Sequence, residues 1–299
     1  MNDLVGNGNE IYSNSSLIHY FSNNGLDLSY LNKFSAGGGG VLYLYQDSDN
    51  SFIVKTPNYS KYEKSRYYVA EKVILKEKSM LEKFKSKHLP SLIDWDDDGK
   101  FLIREYLSGT SLEAKINYGL ELSKRIEIIA KIIGMAKSLF TLFHKNNEGC
   151  YVVRDIKPAN IIIDKELNLF FVDLGSVRKE TEMFTKTSRR VLGTRKWLYW
   201  PPEQLLENKE KTNRKFDFFS LGSTLFYVLT GAAPYSNSEQ NKEKLMELYF
   251  SEFGICQLLI EEYVNKYSFP QDIANFISEC IAPCVNDRLC EIPQYLIRY

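Results

Sequence analysis

VRDIKPANIIID, Val153–Asp164, is the stretch on which the reading of this 299-residue chain turns. It places a carboxylate (Asp155), an ammonium two residues on (Lys157) and an amide oxygen five residues on (Asn160). A second carboxylate, Asp173, ends the next apolar run and is followed by Leu174-Gly175. One aspartate able to take a hydroxyl proton, with the Asn160 and Asp173 oxygens holding Mg²⁺ on a polyphosphate, is the set of groups that phosphoryl transfer asks of a protein. Hard oxygen donors suit that ion. Asp-x-x-x-x-Asn alone recurs by chance in many chains; the conjunction with Lys157 and Asp173 carries the specificity.

Working outward, the first stretch to about residue 27 is rich in Asn, Ser and Gly with little apolar period, and reads as a partly ordered extension (1–27). From Leu28 to Tyr106 short apolar runs alternate with turns: a Gly-rich turn at 37–40, then VLYLY, SFIVK and FLIREYL. Tyr67–Lys87 breaks this pattern with helical spacing of Val73, Leu75, Met80, Leu81 and Phe84, so one helix crosses a small sheet. Asp98-Gly99, within the acidic run Asp94, Asp96, Asp97 and Asp98, is read as a hairpin turn and not as a cation site. Beyond Gly109 the apolar spacing is helical over 122–144, 217–230, 243–266 and 271–281. The expected division is therefore an extension (1–27), a sheet-rich lobe (28–106) and a helical lobe (107–299).

Lys+Arg and Asp+Glu both total 38, so the chain lacks the overall basic field that nucleic acid or an anionic membrane would attract. Five cysteines, an odd number without a Cys-x-x-Cys pair, argue against a disulfide framework and for a reducing compartment. Cys280, Cys284 and Cys290 lack a nearby histidine and read as structural thiols, not zinc ligands. The first residues have neither a basic nor an apolar signal segment, and cytoplasmic residence is the expectation. The uncharged run 218–238 is interrupted by Ser, Thr, Gly and Pro, which favours a buried helix over a membrane span.

With these motifs in order, the sequence resembles the eukaryotic-type Ser/Thr protein kinase family, which bacteria also carry, over roughly residues 30–298. The resemblance implies an α+β, two-lobed protein kinase fold with a small antiparallel-sheet N-lobe, one crossing helix and a larger helical C-lobe. SAGGGGVLYL, 35–44, is similar to the Gly-rich loop over the nucleotide phosphates, which would place Gly37, Gly38, Gly39, Gly40 and Leu42 at ATP. Ser35 stands where the family has its first glycine. FIVK, 52–55, makes Lys55 the lysine for the α- and β-phosphates, and Glu77 the glutamate that orients it; Glu71 and Glu82 are rivals.

REYLSGTSL, 104–112, resembles the hinge, with Glu105 and Leu107 offering backbone groups to adenine. Arg104, where an apolar residue is usual, implies either an unusual back pocket or a strand arginine paired with a carboxylate such as Glu77. Val153 and Leu174 replace the family's more common His and Phe with apolar bulk. PPE, 201–203, and NDRL, 286–289, imply a Glu203–Arg288 pair, and KFDFFSLG, 215–222, implies that Asp217 ties down the catalytic loop. By the same resemblance Asp155 is the catalytic base, Lys157 contacts the transferred phosphoryl, and Asn160 and Asp173 hold Mg²⁺.

The partners implied are protein substrates, with neither nucleic acid nor membrane, and other copies of the chain through trans-autophosphorylation at Thr185, Thr187 or Ser188, whose phosphate would pair with Arg154. A nucleotide-binding pseudokinase scaffold and a small-molecule phosphotransferase are the alternatives.

Overall fold

The computed structural model describes residues 11, 13–37, 39–180, 196–205, 213–235, 247, 249 and 251–298. Its contacts divide the chain into two compact units, Met1–Lys85 with Pro90–Tyr106, and Ser86–Leu89 with Leu107–Tyr299.

The first unit is built on five antiparallel strands, β1 (Leu31–Gly37), β2 (Gly40–Gln46), β3 (Ser51–Thr56), β4 (Leu92–Trp95) and β5 (Leu102–Glu105), in the order β1-β2-β3-β5-β4. Side chains alternate across a strand, so β2 sends Val41, Tyr43 and Tyr45 to one face. They join Phe52, Val54 and Ile103 in a buried cluster. On β3 the opposite face carries Ile53 and Lys55, and Ile53 pairs directly with Arg104 of β5. Asp98-Gly99 forms the turn before β5: the Gly99 N–H donates to Asp96 O at 3.0 Å.

Two α-helices among the described residues belong to this unit. Helix α1 (Ser15–Asn23) lies within the stretch read as a partly ordered extension. Asn14 caps it by accepting from Leu17 N at 3.1 Å, and Leu17 and Phe21, one turn apart, are buried in the sheet's aromatic cluster. The Phe21 ring meets Tyr45 edge-on at 5.5 Å and Phe52 at 6.3 Å. Leu17, Ile18, Tyr20 and Phe21 fall within five residues of a polar stretch, too short a run to show a period; the sheet face that receives Leu17 and Phe21 supplies the stabilisation. Helix α2 (Tyr67–Lys83) packs against β2, β3, β4 and β5. Its buried positions, Ala70, Ile74, Glu77 and Leu81, recur every three or four residues. A carboxylate lies in the middle of an apolar stripe.

Ser86–Leu89 belongs to the second unit and corrects the contiguous 28–106 boundary. Phe171 N donates to His88 O at 2.8 Å, and His88 Nδ1 donates to Leu169 O at 2.9 Å.

The second unit contains the short strands β6 (Thr110–Ser111), β7 (Tyr151–Val152), β8 (Ile161–Ile163), β9 (Leu169–Phe171) and β10 (Arg178–Lys179). Its helices among the described residues are α3 (Leu112–Asn117), α4 (Leu122–His144), α5 (Pro202–Leu205), α6 (Lys215–Thr230), α7 (Phe253–Tyr267) and α8 (Gln271–Cys280). Every residue of α6 from Phe216 to Leu229 is buried, because α4 and α8 pack against it. A helix apolar on all sides belongs in a core, and this one accounts for the uncharged run that begins at 218. Gly222 lets α6 approach α8 closely: a Cβ there would fall 2.4 Å from Cys280 Cβ. None of the described helices is long and apolar enough to cross a membrane.

The β1–β2 turn has a conformation that only glycine adopts readily. Gly40 has φ +139°, and a Cβ on it would lie 2.6 Å from Thr56 O and 3.2 Å from Lys55 Cε. Gly40→Ala is therefore expected to lower the thermal unfolding midpoint. Gly134→Ala in α4, where nothing lies within 4 Å of the added methyl, is expected to stabilise the chain by about 0.5–1 kcal/mol. Thermal melts of the two variants check the contrast.

Candidate active site

In the first unit the site is assembled around the buried carboxylate of α2. Glu77 is fully buried, and an unpaired charge there would be prohibitively costly. Lys55 of β3 meets it, with Nζ donating to Glu77 Oε2. The rivals are engaged elsewhere: Glu71 takes Lys100 and the Tyr59 hydroxyl, and Glu82 pairs with Lys78 at 2.8 Å. Arg104 also reaches Glu77, with Nε 4.0 Å from Oε1.

Gly37 pairs with Gly40 at the end of the β1–β2 hairpin, Gly39 lies in its turn, and Leu42 pairs with Lys55 across β2 and β3. Gly38 lies outside the described residues. Glu105 N donates to Ser91 O at 2.9 Å and its carboxylate accepts from Ser91 N at 3.0 Å. Its N–H is thus already engaged within the sheet. Leu107, in the second unit, is half-buried.

In the second unit, the loop after β7 is shaped by a carboxylate from α6. Asp217 is fully buried; Oδ2 accepts from Val153 N at 2.8 Å and Oδ1 from Arg154 N at 2.7 Å. Arg154 sits at φ +71°, a conformation costly for a non-glycine residue, which these bonds help to hold. His144, from the end of α4, adds a third contact, Nε2 to Asp217 Oδ2 at 2.8 Å. Sequence reasoning missed His144, because a histidine at the end of an amphipathic helix carries no motif.

Beyond this anchor Asp155 is buried, with Oδ2 accepting from Lys157 Nζ at 2.5 Å and from Asn160 Nδ2 at 3.1 Å. Asn160 Nδ2 also donates to Asp155 O at 2.9 Å, which leaves the amide oxygen as the group for a cation. Val172 N donates to Asn160 O at 3.0 Å, so the β8–β9 hairpin brings Asn160 beside the strand end that carries Asp173. Asp173 Oδ1 accepts from Gly175 N at 3.0 Å. Carboxylate and amide oxygens without nitrogen or sulfur donors fit Mg²⁺. Val153 and Leu174 are buried.

Helix α5 presents Glu203 to Arg288: Nη1 to Oε2 is 3.0 Å and Nη2 to Oε1 is 2.8 Å. Thr185, Thr187 and Ser188 lie outside the described residues.

Residues 30–296 match the family model described as the protein kinase domain. The chain belongs to this family. Its architecture is that of the two-lobed protein kinase fold, with the sheet-rich unit as N-lobe and the helical unit as C-lobe.

Among its relatives, a proline-rich receptor-like protein kinase of Arabidopsis thaliana is 32% identical over 222 residues, covering 70% of this chain and 30% of that protein. A second of the same description from that plant is 29% identical over 268 residues, covering 85% and 36%. A receptor-like serine/threonine-protein kinase, also from Arabidopsis thaliana, is 27% identical over 273 residues, covering 86% and 35%. This kinase domain thus spans about a third of the length of the curated relatives it matches.

Proposed function

We propose that the chain transfers the γ-phosphoryl group of ATP to Ser or Thr hydroxyls of proteins, its own copies included. The observation that carries this reading is the state of Asp155. Its Oδ2 is held by Lys157 and Asn160, while the buried Oδ1 makes no hydrogen bond among the described residues. A buried acceptor of this kind is costly unless a donor fills it, and an acceptor hydroxyl is such a donor.

In this reading Asp155 Oδ1 orients the incoming hydroxyl and takes its proton. Lys157 remains close enough to neutralise charge on the transferring phosphoryl. Asn160 Oδ1 and the Asp173 carboxylate hold Mg²⁺, which would offset polyphosphate charge. Lys55, directed by Glu77, takes the α- and β-phosphates. Catalysis is then positioning and electrostatics. Lys157 at this spacing and the name of one relative support Ser and Thr acceptors. The odd cysteine count supports a reducing, cytoplasmic setting.

Incubation of the purified chain with labelled ATP, Mg²⁺ and a mixed protein substrate, followed by mass spectrometry, tests the proposal. Phosphoserine or phosphothreonine on protein is expected. Label confined to small molecules, or absent from all products, overturns it.

A further inference from the structure

Arg104 lies in β5 on the sheet face turned towards α2, directly across from Ile53 and diagonal to Lys55. Its side chain is 6% exposed. Glu77 consequently receives two cations from neighbouring strands, one on each oxygen: Lys55 on Oε2, and Arg104 near Oε1.

The two contacts do different physical work. A single lysine fixes the distance between α2 and β3 but lets the carboxylate rotate with its partner. A guanidinium is always charged, and Arg104, as an ion pair at 4.0 Å in which neither Nε nor Oε1 makes a hydrogen bond among the described residues, holds the second oxygen electrostatically from a second strand. If Lys55 turns from Glu77 towards an anion, a carboxylate without another cation would be stranded in the interior, and stranding a buried charge is costly. Arg104 keeps it compensated.

We propose that Arg104 is a positioning residue: it holds Glu77 from β5, so that Lys55 is steered by a carboxylate fixed from two strands and can turn to nucleotide phosphates without abandoning it. The inference rests on the reading above that Lys55 takes those phosphates. Arg104 touches no reacting atom in this scheme.

The test compares Arg104→Met, Arg104→Lys, Glu77→Gln and the double variant Arg104→Met/Glu77→Gln in the full chain. Melting is read first, because it does not depend on catalysis. Glu77→Gln leaves two buried cations facing each other, so it is expected to melt lowest, and adding Arg104→Met is expected to raise the midpoint again. A double variant that melts below Glu77→Gln overturns the coupling.

Kinetics are then read well below the transitions. Arg104→Met is expected to lower kcat about tenfold with KM for MgATP within about threefold, the pattern of an interaction expressed mainly in the transition state. Arg104→Lys, which keeps the charge, is expected to regain most of the loss. Parental kcat in Arg104→Met overturns the positioning role. A parent that transfers no phosphate overturns the kinase reading, and the melting order then decides the Glu77 coupling on its own.

Discussion

Asp155→Asn is expected to slow phosphoryl transfer by about 10²–10⁴ while leaving affinity for MgATP close to the parent's. The substitution keeps the shape of the side chain and removes the proposed base. Lys157 Nζ and Asn160 Nδ2 both donate to Asp155 Oδ2, so an asparagine there must turn its carbonyl oxygen to these donors and its NH₂ to the position of Oδ1. The atom proposed to receive the hydroxyl proton becomes a donor. Asp173→Asn is expected to cost at least as much in rate and, unlike Asp155→Asn, to weaken nucleotide binding that depends on Mg²⁺, because the proposed metal ligand loses its charge. Initial rates together with calorimetric titration of ATP, with and without Mg²⁺, separate the two. Full activity in either variant removes that residue from its assigned role.

The part of this arrangement that the sequence disclosed is the part held by short-range spacing. Asp155, Lys157 and Asn160 lie within one turn of chain, and their mutual bonds follow almost entirely from local backbone geometry. Lys55 and Glu77 are 22 residues apart, and here the legible signal was the helix period: Glu77 occupies a buried position in the stripe with Ile74 and Leu81. Glu71 and Glu82 are acidic too, but Glu71 is drawn to Lys100 and Glu82 to Lys78.

Contacts made by residues without a period or motif were hidden. His144 is 73 residues from Asp217 and reaches it only because α4 and α6 pack side by side. Helix α1 was hidden for a related reason. Leu17 and Phe21 are its buried residues, with Tyr20 packed beside them, and its stability comes from the aromatic face of a sheet that lies later in the chain. Ser86–Leu89 read as the end of the sheet-rich unit, yet the hydrogen bonds of His88 to Leu169 and Phe171 place the segment in the other. Local pattern fixes elements and side-chain faces; membership of a core is decided by what packs from elsewhere.

Arg288→Ala and Glu203→Ala are expected to cost stability before they cost chemistry, by about 3–5 kcal/mol each, because removing one partner strands the other charge. The two should not be equal. Arg288 has a fully buried side chain that also donates to Ala282 O and Pro283 O, both at 2.6 Å, and lies over the Phe219 ring at 4.8 Å. Its removal exposes two carbonyls, an aromatic face and a carboxylate at once. Glu203 keeps 11% of its side chain exposed, and in Arg288→Ala part of that charge can turn to water. In Glu203→Ala the guanidinium keeps its two carbonyl acceptors but has no counter-ion from α5. Arg288→Met tells packing from charge, since it retains bulk over Phe219 while stranding Glu203. A loss of this size corresponds to a fall in melting temperature on the order of 10 °C for a unit of about 200 residues. Thermal unfolding of the three variants is the measurement. Midpoints equal to the parent's would mean that Glu203 and Arg288 contribute nothing net, and that some other contact holds α5 against the second unit's core.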